Sequence, residues 1–209
     1  MTLEKQLHSL NYVLVEAAVR TKLNYFILNN RIDAEYWQLI WKKFKAGDRN
    51  AFKTIYNEFA DALFSYGSRY TSERDLVKDA IQDLFVDVYT YGNTLRKPES
   101  LEFYLFKSLK RIIFRKLVEK NRYTSVQEHT EKFELKFIAE EELADDFQEE
   151  FVKKVTDEIT HLDSKSRELL FLKFNSGLTY KEIGKLLDIK PNTAKKQVYR
   201  LLDQLRKKL

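Results

Sequence analysis

The chain of 209 residues contains no cysteine, which excludes disulfides and thiolate metal sites and fits a reducing cytoplasm. It has only two prolines and five glycines. Strand-rich folds need frequent turns, so this scarcity points to long helices. No apolar run approaches the roughly 20 residues that a membrane-spanning helix requires, so no membrane insertion is expected. The stretch YVLVEAAV near the start is interrupted by Glu16 and lacks a small-residue cleavage pattern behind it, unlike a signal peptide. Histidine is also sparse: His8, His129 and His161 are scattered. There is no glycine-rich phosphate loop, so an enzyme is the least supported class, and neither a cofactor nor a metal is expected.

What the chain does have is charge, at 33% of residues, beside 44% hydrophobic residues. That balance suits helices with one buried and one solvated face. The net charge of +5 conceals a segregation. Residues 96–122 hold nine lysines and arginines against three glutamates, and residues 179–209 hold nine basic against three acidic residues. Between them, residues 123–163 hold thirteen acidic and four basic residues. Two basic blocks joined by an acidic one suggest two polyanion-binding surfaces on a tether, the plainer alternative being solvated helix faces.

Helical spacing of apolar residues divides the chain into four parts. Residues 1–35 form an extension, helix-like from Leu3 to about Leu28, with no role legible in it. A first block over residues 36–120 carries three amphipathic segments. Their apolar stripes are Phe52, Ile55, Tyr56, Phe59, Leu63 and Tyr66; then Val77, Ala80, Ile81, Leu84, Phe85 and Val88; then Leu101, Tyr104, Leu105, Leu109, Ile112 and Ile113. Ser72 is the expected N-cap of the second segment and Gly92 its end. Residues 121–146 read as an acidic linker. The period returns at Phe147 and continues through Phe151, Val155, Ile159 and Leu162, and a short helix carrying Leu169, Leu170 and Leu172 ends at Gly177. The expected fold is all-α, two small helical domains with the linker between them.

The last 31 residues have the parts of a helix-turn-helix. Thr179 and Glu182 make a capping box that starts the first helix, and Ile183, Leu186 and Leu187 give it an apolar face. Gly184 sits mid-helix, where glycine costs about 1 kcal/mol against alanine, a cost explained if another helix must cross closely at that point. After the turn, Pro191 suits the first position of a second helix, which needs no amide donor. Ala194, Val198, Leu201, Leu202 and Leu205 form its buried side. Lys190, Asn192, Thr193, Lys195, Lys196, Tyr199 and Arg200 are left outside. Such a helix reads base edges in the major groove with its N-terminal residues; the plainer alternative is a helical hairpin with a basic exterior.

In the first block, Asp79, Asp83 and Asp87 fall at i, i+4 and i+8 with Gln82 beside them. They are collinear rather than convergent, which disfavours a metal site and leaves a solvated face or a surface for a basic partner. On the third segment Phe103, Lys107, Lys110 and Phe114 share a face, with Arg111 and Arg115 adjacent. Aromatics interleaved with cations suit a melted strand, whose bases stack on rings while cations track phosphates. The two phenylalanines fit a core equally well.

Three passages together resemble the small, extracytoplasmic-function (ECF) group of bacterial sigma-70-type factors. DLVKDAIQDLFVDVY is similar to the group's polymerase-docking helix, SLEFYLFKSLKRIIFRKL to the helix beside the melted promoter element, and residues 162–209 to the promoter-binding C-terminal domain. The resemblance implies a non-enzymatic, cytoplasmic subunit that binds RNA polymerase core and directs transcription initiation. Under it, Asp79, Gln82, Asp83, Phe85 and Asp87 dock on the β′ clamp helices. The loop from Tyr91 to Ser100, with Tyr91, Asn93 and Arg96, would capture a flipped base of the melted minus-ten element beside Phe103, Lys107, Lys110 and Arg111. The C-terminal domain would contact the β flap and read double-stranded minus-thirty-five DNA. An anti-sigma factor is a further partner implied by the group. The alternative is a stand-alone helix-turn-helix regulator, which would have no use for the first block. Lys190, at the N-cap of the second helix where Ser or Thr is expected, and Asp188, where the turn commonly has glycine, depart from the group's pattern.

Overall fold

The computed structural model describes residues 34–92, 100–120, 133–134 and 146–208, and all regular structure among them is helical. The helices are α1 (Ala34–Lys45), α2 (Arg49–Gly67), α3 (Arg74–Tyr91), α4 (Leu101–Lys120), α5 (Asp146–Thr160), α6 (Ser164–Asn175), α7 (Tyr180–Leu187) and α8 (Pro191–Lys208). They fall into two compact units, which divide between Phe133 and Glu134. Residues 1–33 of the expected 1–35 extension, the loop residues Asn93, Arg96 and Pro98, and the side chains of Phe147 and Phe151 lie outside the described residues.

In the first unit α2 starts at Asp48, whose carboxylate accepts from the Asn50 and Ala51 amides. Its stripe Ile55, Phe59, Leu63 and Tyr66 is buried against α1, α3 and α4. From α3 come Val77, Ala80, Ile81, Leu84, Phe85 and Val88, every member of the expected stripe. Helix α4 departs from expectation: Tyr104 is only half-buried, whereas Phe106, Phe114 and Leu117 join the core. Burial on more than one side of α4 explains this, because a helix packed between neighbours loses a clean one-face period. The start of α3 is also corrected. Its N-cap is Glu73, not Ser72, and makes no side-chain cap; Thr71 Oγ1 instead accepts from the Glu73 amide. The Lys120 ammonium pairs with the Glu73 carboxylate, tying the start of α3 to the end of α4.

The second unit is built around α6, where Leu169, Leu170, Phe171, Leu172 and Phe174 are all buried. Consecutive burial marks a central helix rather than a surface one. Asp163 caps it by accepting from the Ser166 amide at 2.9 Å. Helix α6 ends at Asn175 with Ser176 as its C-cap, and Gly177 follows with φ +67°, the left-handed turn that glycine adopts without strain. Val155 and Ile159 of α5 are fully buried, and α8 packs against α5, α6 and α7.

Candidate nucleic-acid interface

The turn between α7 and α8 is fixed at both ends. The Thr179 hydroxyl caps the Glu182 amide while the Glu182 carboxylate accepts from the Thr179 amide at 2.8 Å, completing the capping box. At the other end Asp188 adopts φ 55°, ψ 47°, and its amide bonds back to the Gly184 carbonyl. This left-handed residue is the departure from glycine noted in the sequence; aspartate tolerates that region better than most side chains. Gly184 has a close neighbour, but it is the backbone of the following turn rather than the crossing helix expected. A Cβ there would stand 2.6 Å from the Ile189 carbonyl oxygen and 3.3 Å from the Pro191 nitrogen. Helix α8 therefore starts in van der Waals contact with α7, which fixes the angle at which it leaves the turn.

Helix α8 begins at Pro191 as expected, with Lys190 at the preceding position. Ala194, Val198, Leu201, Leu202 and Leu205 are its buried residues. Lys190, Asn192, Thr193, Lys195, Lys196, Tyr199 and Arg200 are all exposed, Tyr199 at 49%. The sequence thus separates the two sides of this helix without error. Of the three apolar residues expected to bury α7, Ile183 is fully buried while Leu186 and Leu187 are half-covered. The acidic residue Glu182 is buried instead, held in the capping box.

On α4, Lys107 and Arg111 are exposed, and Phe103 and Lys110 are half-exposed. The Lys107 ammonium lies 5.5 Å over the Phe103 ring. Lys110 lies 5.5 Å over the Tyr70 ring and 5.8 Å over the Phe114 ring. The two phenylalanines left open by the sequence separate here: Phe114 is 7% exposed and belongs to the core, while Phe103 stays at the surface. Burial pushes the Tyr104 phenol up, the Ser108 hydrogen bond pulls against it, and Asp87 and Arg111 act in opposite directions. Tyr91 is exposed at 57% and stands at the end of α3.

The acidic stripe of α3 is less uniform than its spacing implies. Asp79 and Gln82 are exposed, whereas Asp83 pairs with Lys116 of α4 at 2.8 Å. Phe85 is 4% exposed, its ring against Tyr56 at 4.8 Å. Phe85 is the floor of a groove of 760 Å³ between α2 and α3, walled by Phe52, Tyr56, Phe64, Val86 and Tyr89, with Gln82 at its edge. Tyr56, Val86 and Tyr89 are 44%, 55% and 53% exposed. Phe52 and Tyr56 share the helical spacing of the α2 stripe, but they face this groove rather than the core. A signal for it was present in the sequence. Gln82, Val86 and Tyr89 fall at i, i+4 and i+7, so the polar side of α3 carries an apolar pair of its own. Among the described residues no cluster of histidine and carboxylate side chains could hold a metal ion.

The model of the family described as sigma-70, region 4 matches residues 153–205, which span the second half of α5, all of α6 and α7, and the greater part of α8. No curated protein matches the chain. Among solved structures, that of CnrH in complex with the cytosolic domain of CnrY is similar over 83% of this chain and 95% of the other, with 18% identity and a TM-score of 0.52. That likeness extends the shared fold well beyond the region-4 match, into the first unit.

Proposed function

We infer that this chain is a sigma factor of the ECF group, a subunit that directs promoter-specific transcription initiation. Its C-terminal unit carries sigma-70 region 4. The observation that carries the inference is the basic outer face of α8, presented by a rigid turn inside the matched region. Asn pairs with adenine, Thr and Ala meet the thymine methyl, and Lys or Arg reaches guanine or phosphate. Lys190, Asn192, Thr193, Lys195, Lys196, Tyr199 and Arg200 are the side chains in position for this, and the minus-thirty-five element is the assigned target.

Two further roles go to the first unit, residues 36–120 in the domain division proposed here. The groove between α2 and α3, with Gln82 at its edge, docks on the clamp helices of the polymerase β′ subunit together with Asp79, Asp83 and Asp87 of α3. Partly exposed rings supply apolar area and the aspartates select a basic partner. The face of α4 made by Phe103, Lys107, Lys110 and Arg111 lies along the melted minus-ten strand, with Tyr91 and the loop after it, including Asn93 and Arg96, taking a flipped base. Region 4 also reaches the β flap. An anti-sigma factor competes for these surfaces; the similar CnrH was solved in complex with the cytosolic domain of CnrY. Nothing in these roles requires an active site, and a cytoplasmic location follows from them.

Run-off transcription with purified bacterial core polymerase tests the inference. The chain is expected to form a stable complex with core and to start transcripts at a cognate promoter. Binding to duplex DNA with neither core binding nor added initiation would make it a stand-alone helix-turn-helix regulator.

A further inference from the structure

Phe133 lies in the middle of the acidic stretch between the units, thirteen residues beyond the end of α4, yet it is fully buried. Its ring meets the Tyr70 ring edge-on at 5.1 Å and the Tyr66 ring at 6.0 Å. The slot it fills is built with some precision. The Tyr70 hydroxyl donates to the Tyr66 hydroxyl at 2.6 Å, so the two phenols hold each other. Tyr66 rests on Phe106 at 5.0 Å and Tyr70 on Phe114 at 5.1 Å, both from α4. The Lys110 ammonium closes the rim over Tyr70 and Phe114.

Aromatic walls beside a cation are the apparatus that stacks an unpaired base while holding its phosphate. This slot continues the row Phe103, Lys107, Lys110, Phe114, with Arg111 and Arg115 exposed alongside. We propose that Phe133 is an intramolecular latch: in the free chain it occupies a base-stacking slot on the strand-binding face of α4, and the melted strand displaces it. This rests on the sigma-factor reading of α4.

The latch also sets reach. A chain spans at most about 3.3–3.6 Å per residue. From Phe133 to the start of α5 this allows roughly 45 Å, against roughly 90 Å from the end of α4. Opening the latch therefore about doubles the length of chain that can extend between α4 and α5.

The test measures binding of a fluorescein-labelled, mixed-sequence 12-nucleotide single strand to the full chain by anisotropy. Phe133→Ala is expected to bind about ten- to a hundredfold tighter, because the competing occupant is gone and the competent state need no longer be recruited from a small population. Phe133→Trp, which still fills the slot, should bind like the wild type. Equal or weaker binding by a folded Phe133→Ala chain overturns the proposal, as does the absence of binding by both. In parallel, 4-fluorophenylalanine at position 133 should give a ¹⁹F resonance that moves to its solvent position as the strand saturates the chain. A resonance that stays at its buried position with the strand bound also overturns it, whether or not the alanine variant folds. A chain that initiates transcription with core but fails these tests loses the latch and keeps its function.

Discussion

Asp163 shows how much one side chain does at a helix end. Its carboxylate accepts from both the Ser166 amide and the Ser166 hydroxyl. Partial burial pushes its pKa up, but the Ser166 hydrogen bonds outweigh that and hold it below the ordinary value of 3.8. Because the folded value is the lower one, the stabilisation is complete above the unfolded pKa and is lost as pH falls through the folded one. Asp163→Ala should cost about 1 kcal/mol near neutrality, read as a lower denaturation midpoint. The gap from wild type should close below about pH 4 as the cap protonates; a gap of constant size down to pH 2 would mean that the carboxylate charge is not what stabilises α6. Gly184 argues the opposite case. Alanine there gains about 1 kcal/mol of helix propensity, but its Cβ would press on backbone that has no rotamer to yield.

At the scale of elements, α3 carries the most consequence. Its inner side holds the first unit together and its outer side offers the groove. Val86 is the cleanest probe of that groove, because it is 55% exposed and lines it. Asp83, by contrast, is tied to Lys116, so changing it also disturbs the packing of α3 on α4. Val86→Glu should leave the helical content and melting of the chain unchanged while weakening its affinity for core polymerase at least tenfold, measured by co-elution or fluorescence titration. Undiminished affinity would move the docking surface off this groove. The same helices show what the sequence could tell. The stripes of α3 and α8 were legible because each helix buries one face, so period and burial coincide. The stripe of α4 was only partly legible because neighbours cover it on more than one side. The groove fell between two readings, since Phe52 and Tyr56 keep a helical period with the core yet stop short of it. Phe133 had no signal at all: a lone aromatic in an acidic run has no period, and its burial depends on a slot whose walls come from α4 and from Tyr66 and Tyr70, far off in sequence.

For the molecule as a whole, the segregation of charge sets the terms of DNA binding. The basic exterior of α8 and that of α4 belong to different units, and acidic residues dominate the sequence between them. Each cation that neutralises a phosphate adds about 0.9 to the slope of log affinity against log salt. Lys196→Ala should therefore flatten the salt dependence of duplex promoter binding by about one unit if Lys196 meets a phosphate. If it meets a base, the variant should relax preference at one position by about 1–3 kcal/mol with the slope unchanged. An unaltered slope and footprint would turn this face of α8 away from DNA. The aromatic distribution has a consequence of another kind. Both tryptophans of the chain, Trp37 and Trp41, lie on α1 and are 7% and 4% exposed, while Tyr180 and Tyr199 sit on the helix-turn-helix. Emission excited at the red edge of the protein spectrum, where tyrosine is dark, will report the melting of the first unit alone. Circular dichroism will follow both units, so the difference between the two curves isolates the unfolding of the DNA reader without a label or a truncation.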